Sequence, residues 1–264
     1  MDSNSNKRIL DCVKINKATD DIVKYIDDRR RGVATSLKTR WNKFNSVCMG
    51  GCEPNSLITI GGISGCGKSS FVNSLETDII DLNPEHDIIV LNFSLEMISA
   101  KQIGRKLSYK LKKTVSELYS GTGVESVTED DFTNIQKEAQ KIKKYNIYYC
   151  DTPGTIEEME NTILHFNDTI AKNKWLVIIL DHTLLIKGKP EDEERIILSK
   201  LQRMFIRLKK RDRNTIIQLT QLNRNIEQLD RIKNPSMHFP QRSDISGSDS
   251  VYAASDYVII LHRP

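Results

Sequence analysis

The segment Gly62-Ile63-Ser64-Gly65-Cys66-Gly67-Lys68-Ser69 meets every fixed position of G-x-x-x-x-G-K-[ST], a pattern that requires a strand before it and a helix after it. Both flanks agree. Ser56 to Ile60 is a short apolar run suited to a buried strand, and Ser70 to Leu75 opens an amphipathic pattern, so a helix is predicted to start at Ser69. The residue types suit a polyphosphate: glycines let backbone N–H groups close around phosphate oxygens, Lys68 reaches the β and γ phosphates, and the Ser69 hydroxyl is available to Mg2+. The helix N-terminus adds its dipole and unpaired N–H groups, which extends the phosphate-binding span through Ser70.

The 264 residues, 38% of them apolar, suffice for one substantial core. The expected organisation is an N-terminal extension over residues 1–31 and one domain over 32–264. The extension is charged and Asn-rich, with Ile15, Ile22, Val23 and Ile26 at helical spacing over about 17–30. Such a helix either packs at the domain's edge or docks on a neighbouring subunit. A net charge of +4 is mild, so any site for a polyanion must be local. No apolar run reaches the ~20 residues of a membrane span, and Met1 to Asn6 is polar, which excludes a membrane partner and points to the cytoplasm. The five cysteines form no C-x-x-C pair, which argues against a disulfide framework and against zinc at Cys48 and Cys52.

Beyond the phosphate loop, short runs rich in Ile, Val and Tyr alternate with longer helical patterns. Ile88 to Phe93, Ile147 to Cys150, Trp175 to Leu180, Asn214 to Leu219 and Tyr257 to Leu261 are predicted strands. Ser99 to Leu111, Glu129 to Lys144, Thr155 to Asn173 and Glu191 to Arg211 are predicted helices. Such alternation implies an α/β fold with a mostly parallel twisted sheet, helices on both faces, and ligands at the carboxyl ends of the strands.

Three strand ends carry candidate chemistry. Trp175 to Leu180 delivers Asp181, placed to hold Mg2+ beside the phosphate loop. Phe93-Ser94-Leu95-Glu96-Met97 ends a strand with a Glu that is either a general base for an attacking water or a solvated residue opening a helix. Thr220-Gln221-Leu222-Asn223-Arg224 offers Gln221 as a hydrogen-bond partner of the γ-phosphate, or a simple strand-end turn.

Together with Ser243-Asp244-Ile245 and the run from Asp256-Tyr257-Val258 to His262-Arg263-Pro264, these pieces resemble the motor domain of DnaB-type replicative helicases over about residues 32–264. Asp181-His182 is similar to the phage helicase-primase branch, which also places His after that Asp. The resemblance implies a RecA-like P-loop NTPase that binds ATP and Mg2+ and forms a homo-oligomeric, hexameric ring. It also implies ATP hydrolysis that drives translocation on single-stranded DNA, with a primase or loader as a further partner. On this basis Glu96 matches the catalytic glutamate, Gln221 the phosphate sensor, and Lys68 and Ser69 the phosphate-loop pair. The helix before Gly32 matches the linker helix that packs on an adjacent subunit.

DNA contacts in that family come from two channel-facing loops, which match residues 186–191 and about 231–249 here. Lys187, Lys189, Arg231, Lys233 and Arg242 supply positive charge suited to a phosphate backbone. The chain departs from the family at Ser246-Gly247-Ser248-Asp249-Ser250, where bacterial members often carry Arg-Glu-Ser-Gly-Ser. It also ends at Pro264, before the strand whose Lys and Arg reach a neighbour's γ-phosphate. Ending there, it is expected to bind ATP and to hydrolyse it poorly alone, since such a finger typically accounts for a factor of roughly 10³ or more.

Three other readings compete. Asp151-Thr152-Pro153-Gly154 mimics a GTPase D-x-x-G switch, but Asn173-Lys174-Trp175-Leu176 lacks the Asp of N-K-x-D. A RecA-type recombinase would share the core fold. A non-catalytic ATP-binding loader or regulatory module would retain the phosphate loop while being indifferent to Glu96.

Overall fold

The computed structural model describes residues 12–33, 35–120, 127–188, 192–211, 213–234 and 237–262. The chain separates into two compact units, Met1–Ser36 and Leu37–Pro264. In the first, helix α1 (Ile15–Arg30) begins slightly before the predicted segment and has no buried residues. Ile15, Ile22, Val23 and Ile26 are each at least half exposed.

The second unit is built on strands β1 (Ser56–Gly62), β2 (Ile88–Ser94), β3 (Ile147–Cys150), β4 (Trp175–Asp181), β5 (Asn214–Gln221) and β6 (Tyr257–Ile260). They form one sheet in the order β3-β2-β4-β5-β1-β6, every neighbouring pair parallel. The continuous apolar runs follow from burial on both faces. Side chains alternate along β4, so Leu176, Ile178 and Leu180 enter one core while Trp175, Val177 and Ile179 enter the other.

Helices α2 (Asn42–Val47), α3 (Lys68–Asp81), α4 (Ser99–Leu111), α5 (Val115–Tyr119), α6 (Glu129–Ile142), α7 (Ile156–Asp168), α8 (Glu194–Arg211), α9 (Leu229–Lys233) and α10 (Ser248–Ala254) complete the fold. Met159, Ile163 and Phe166 of α7 and Leu201, Met204, Phe205 and Leu208 of α8 fill the first core. Val72, Leu75 and Ile79 of α3 and Phe44 of α2 fill the second. This is the expected α/β arrangement with helices on both faces.

Several boundaries differ from the sequence expectation for local reasons. Helix α3 starts one residue early, at Lys68. Thr155 caps α7 through a capping box with Glu158 instead of lying within the helix. That helix stops at Asp168, and Asn173 is left-handed at φ 62°. The short helices α2, α5, α9 and α10 fall outside the sequence expectation, because five to seven residues are too few to display a 3.6-residue period. Cys48 and Cys52 are fully buried in the second core, where burial pushes both thiols up, Cys48 to about 11. Among the described residues no cluster of three or more His, Cys, Asp or Glu could hold a metal, and no helix is long and apolar enough to cross a membrane.

Candidate nucleotide site

Parallel strands place all their carboxyl ends at one edge, and the strand order decides which side chains meet there. From β2 through β4 and β5 to β1, the ends deliver Glu96, Asp181, Gln221 and the phosphate loop. At about 4.8 Å per strand this row spans roughly 14 Å, a distance one nucleoside triphosphate can bridge. The register fixes the neighbours: Gly62 lies opposite Gln221, and Ser94 opposite Asp181. Ser64, Gly65, Lys68, Ser69, Glu96, Arg105 and Gln221 line one cleft of about 230 Å3. The predicted phosphate, base and sensor residues therefore face a common space.

The loop's glycines answer two different demands. Gly65 and Gly67 adopt φ of 76° and 99°, the left-handed region that side chains disfavour, with open space around them. Gly62 is a matter of room: a Cβ there would sit 2.8 Å from the Leu261 carbonyl oxygen and collide with the Cys66 sulfur. Lys68 is buried, and its ammonium donates to the carbonyl oxygens of Gly62 (2.7 Å) and Ile63 (2.8 Å), which holds the charge inside the loop. Ile63 packs on a small cluster of Leu222, Ile226, Ile245 and Val251, so the loop rests on the segment that follows β5.

Asp181 is buried, and its Oδ1 has no hydrogen-bond partner. Burial raises its pKa; the Ser69 hydroxyl bonds to the carboxylate and opposes that shift, while the Glu96 carboxylate adds to it. Positive charge from Arg105 also favours the ionised form. An orphaned buried carboxylate oxygen beside a serine hydroxyl is a hard-oxygen donor set, and it fits Mg2+. His182 is held below its ordinary pKa by burial, and its Nδ1 accepts from the Leu184 N–H at 3.3 Å, leaving the proton of the neutral ring on Nε2. Arg105 escapes the sequence reading. It lies on α4, away from any strand end, and a lone arginine within a charged helix gives no signal until the helix is placed.

Asp151, the would-be GTPase switch residue, follows edge strand β3, four positions from β1. At about 19 Å it cannot share the phosphate site. Its carboxylate instead accepts from the Ser99 N–H at 3.1 Å and caps α4.

The predicted DNA-contact residues fare differently. Lys187 is exposed, with its backbone N–H tied to the Gly154 carbonyl at 3.0 Å. Lys189 lies outside the described residues. Lys233 is exposed at the end of α9. Arg242 is exposed and stacks on Tyr252 at 4.2 Å. Arg231 departs from the expectation of a guanidinium presented to DNA. It grips buried Asp244 with two bonds of 2.7 and 2.8 Å and donates to the Met237 and Phe239 carbonyls. The bond to Arg231 holds the Asp244 carboxyl below its ordinary pKa. Arg231 therefore staples its own loop instead of reaching out from it.

A family model described as the DnaB-like helicase C terminal domain matches residues 36–264. The chain is similar to the replicative DNA helicase DnaB of Mycobacterium leprae (strain TN), with 28% identity over 182 residues, 68% of this chain and 28% of that protein. To the replicative DNA helicase DnaC of Bacillus subtilis (strain 168) it is 25% identical over 237 residues, 89% of this chain and 48% of that protein. It spans about half or less of these relatives' length. One solved ATPase domain superposes with a TM-score of 0.73 at 18% identity, covering 96% of this chain and 84% of that one. A DnaB-like replicative helicase studied for its interactions with primase gives 0.76 at 18% identity, covering 96% and 57%. These structures share the RecA-like ATPase fold. Because the family match takes in the whole sheet and every strand end that lines the cleft, this chain belongs to the DnaB-like helicase C-terminal domain family.

Proposed function

We propose that this chain is the ATP-hydrolysing motor of a replicative DNA helicase that translocates on single-stranded DNA. The observation that carries the reading is the orphaned Asp181 carboxylate oxygen beside Ser69, in line with Lys68, Glu96 and Gln221 along one sheet edge. Backbone N–H groups from Gly62 to Ser70 hold the phosphates, and Lys68 neutralises charge on the β and γ groups. Ser69 and Asp181 would hold Mg2+, which supplies Lewis-acid charge neutralisation at the phosphate oxygens when bound. Glu96 takes a proton from water as the water oxygen bonds to the γ-phosphorus. The bond from that phosphorus to the bridging oxygen breaks, leaving ADP and phosphate.

Gln221 senses the γ-phosphate and is tied to the loop that follows. The Ser246 N–H donates to the Gln221 carbonyl at 3.0 Å, and Leu222 bridges Ile245. Loss of the γ-phosphate would thus be felt by the segment bearing Lys233 and Arg242, which with Lys187 and Lys189 contacts the DNA backbone. The assembly is a hexameric ring in the cytoplasm, with the apolar stripe of α1 docked on a neighbouring subunit and a primase or loader as partner.

Equilibrium titration with a fluorescent ATP analogue, with and without Mg2+, tests the site. Lys68→Ala is expected to weaken binding at least roughly tenfold through loss of a charged contact, and Asp181→Asn to remove the dependence on Mg2+. Binding that ignores both substitutions contradicts the proposal.

A further inference from the structure

Three polar side chains lie where α3, α4 and β2 pack, and each is almost wholly buried: Asn73 (5% exposed), Ser94 (1%) and Gln102 (2%). Burying amides and a hydroxyl in an α/β core is unfavourable unless each is hydrogen-bonded, and apolar residues of similar volume would pack there without that requirement. Here the groups satisfy one another in a directed chain. The Asn73 amide donates to Gln102 Oε1 (2.9 Å) and to the Gln102 carbonyl (3.1 Å). Gln102 Nε2 donates to the Ser94 hydroxyl (2.8 Å), and that hydroxyl donates to the Met97 carbonyl (2.5 Å).

The two ends of this chain matter. Asn73 sits on α3 one helical turn beyond Ser69, on the same face, so it moves with the helix that carries Lys68 and Ser69. Ser94 and Met97 bracket Glu96, and the same turn is pinned on its other side by the Leu95 N–H donating to the Asp181 carbonyl at 2.9 Å. Glu96 itself is exposed in the cleft, without burial to fix it. Its position relative to the phosphate loop is therefore set by what holds the turn.

We propose that Gln102 is a positioning residue that locks the Glu96 turn to the phosphate-loop helix, through Ser94 on one side and Asn73 on the other. The proposal rests on the reading of Glu96 as the base for ATP hydrolysis. Removing the amide breaks the link between Asn73 and Ser94, leaving Asn73 its bond to the Gln102 carbonyl and Ser94 its bond to the Met97 carbonyl, and frees the turn to shift against α3. A displacement of about 1 Å at the reacting groups is enough to lower turnover by as much as 10²-fold.

The test compares single-turnover ATP hydrolysis and ATP-analogue affinity for the parent chain, Gln102→Met, Ser94→Ala, Glu96→Gln and the Gln102→Met/Glu96→Gln pair. Gln102→Met keeps side-chain length and removes both amide bonds; Ser94→Ala removes one oxygen and serves if the larger change impairs folding. The expected result is a fall in turnover of roughly ten- to hundredfold for Gln102→Met, a fall in the same direction for Ser94→Ala, and nucleotide affinity within about twofold of the parent. In the Glu96→Gln background, Gln102→Met should cost less than about twofold more, because the group it positions is already gone. Turnover unchanged in both Gln102→Met and Ser94→Ala, an equal loss of affinity, or a full additional loss in the Glu96→Gln background would overturn the proposal. Failure of the base reading is separable: it appears as Glu96→Gln retaining parental turnover, whatever the other variants do.

Discussion

Glu96→Gln is expected to lower ATP turnover by roughly 10²- to 10⁴-fold, the usual contribution of a positioned general base, while ATP affinity stays near that of the parent. The substitution preserves size and hydrogen-bonding reach and removes only the capacity to take a proton. Glu96 stands in the cleft with Ser64, Lys68, Ser69 and Gln221, so its chemistry is available to the site without being part of the core. The amide also removes the repulsion that the Glu96 carboxylate places on Asp181. Turnover that survives within about twofold, or a matching loss of affinity, would remove Glu96 from the base role.

The largest stability effect is expected at Lys106, whose ammonium is fully buried against the fully buried Glu76 carboxylate. Glu76 also accepts from Asn92 (3.0 Å) and the Tyr149 hydroxyl (2.9 Å), and Lys106 donates to the Asn73 carbonyl (3.2 Å). Lys106→Met fills the volume and strands the carboxylate in the core. Breaking a buried pair from one side costs about 3–5 kcal/mol, a fall in Tm of roughly 10 °C for a domain of this size. Replacing both partners, Lys106→Met with Glu76→Leu, should lie closer to the parent than the single change, because no uncompensated charge remains. Thermal unfolding of the two variants checks this; a single variant within about 1 kcal/mol of the parent would show that the pair does not carry the packing of α3 against α4.

Much of this architecture is legible in the sequence because two strong signals agree. The phosphate loop fixes a strand and a helix around it, and the continuous apolar runs at Ile88 and Trp175 can be satisfied only by burial on both faces of a sheet. Asp181 and Gln221 are legible because each closes such a run. What the sequence hides is polar and helical. Gln102 and Lys106 are polar residues one turn apart on α4, yet both are buried against α3. Nothing in periodicity distinguishes a polar residue facing water from one facing a buried partner, and the partners Asn73 and Glu76 lie on a helix distant in sequence. Arg231 illustrates the converse: a basic loop residue suggests an anionic ligand, whereas here its partner is Asp244, thirteen positions on in the same loop.

The most direct test of the central claim is ATP turnover by this chain with and without single-stranded DNA, measured in parallel on Lys68→Ala. Single-stranded DNA is expected to raise a basal rate that is low for this chain alone, and Lys68→Ala to abolish both the basal and the stimulated turnover. Turnover that is indifferent to DNA, or that persists without Lys68, would contradict a DNA-translocating motor powered from this site.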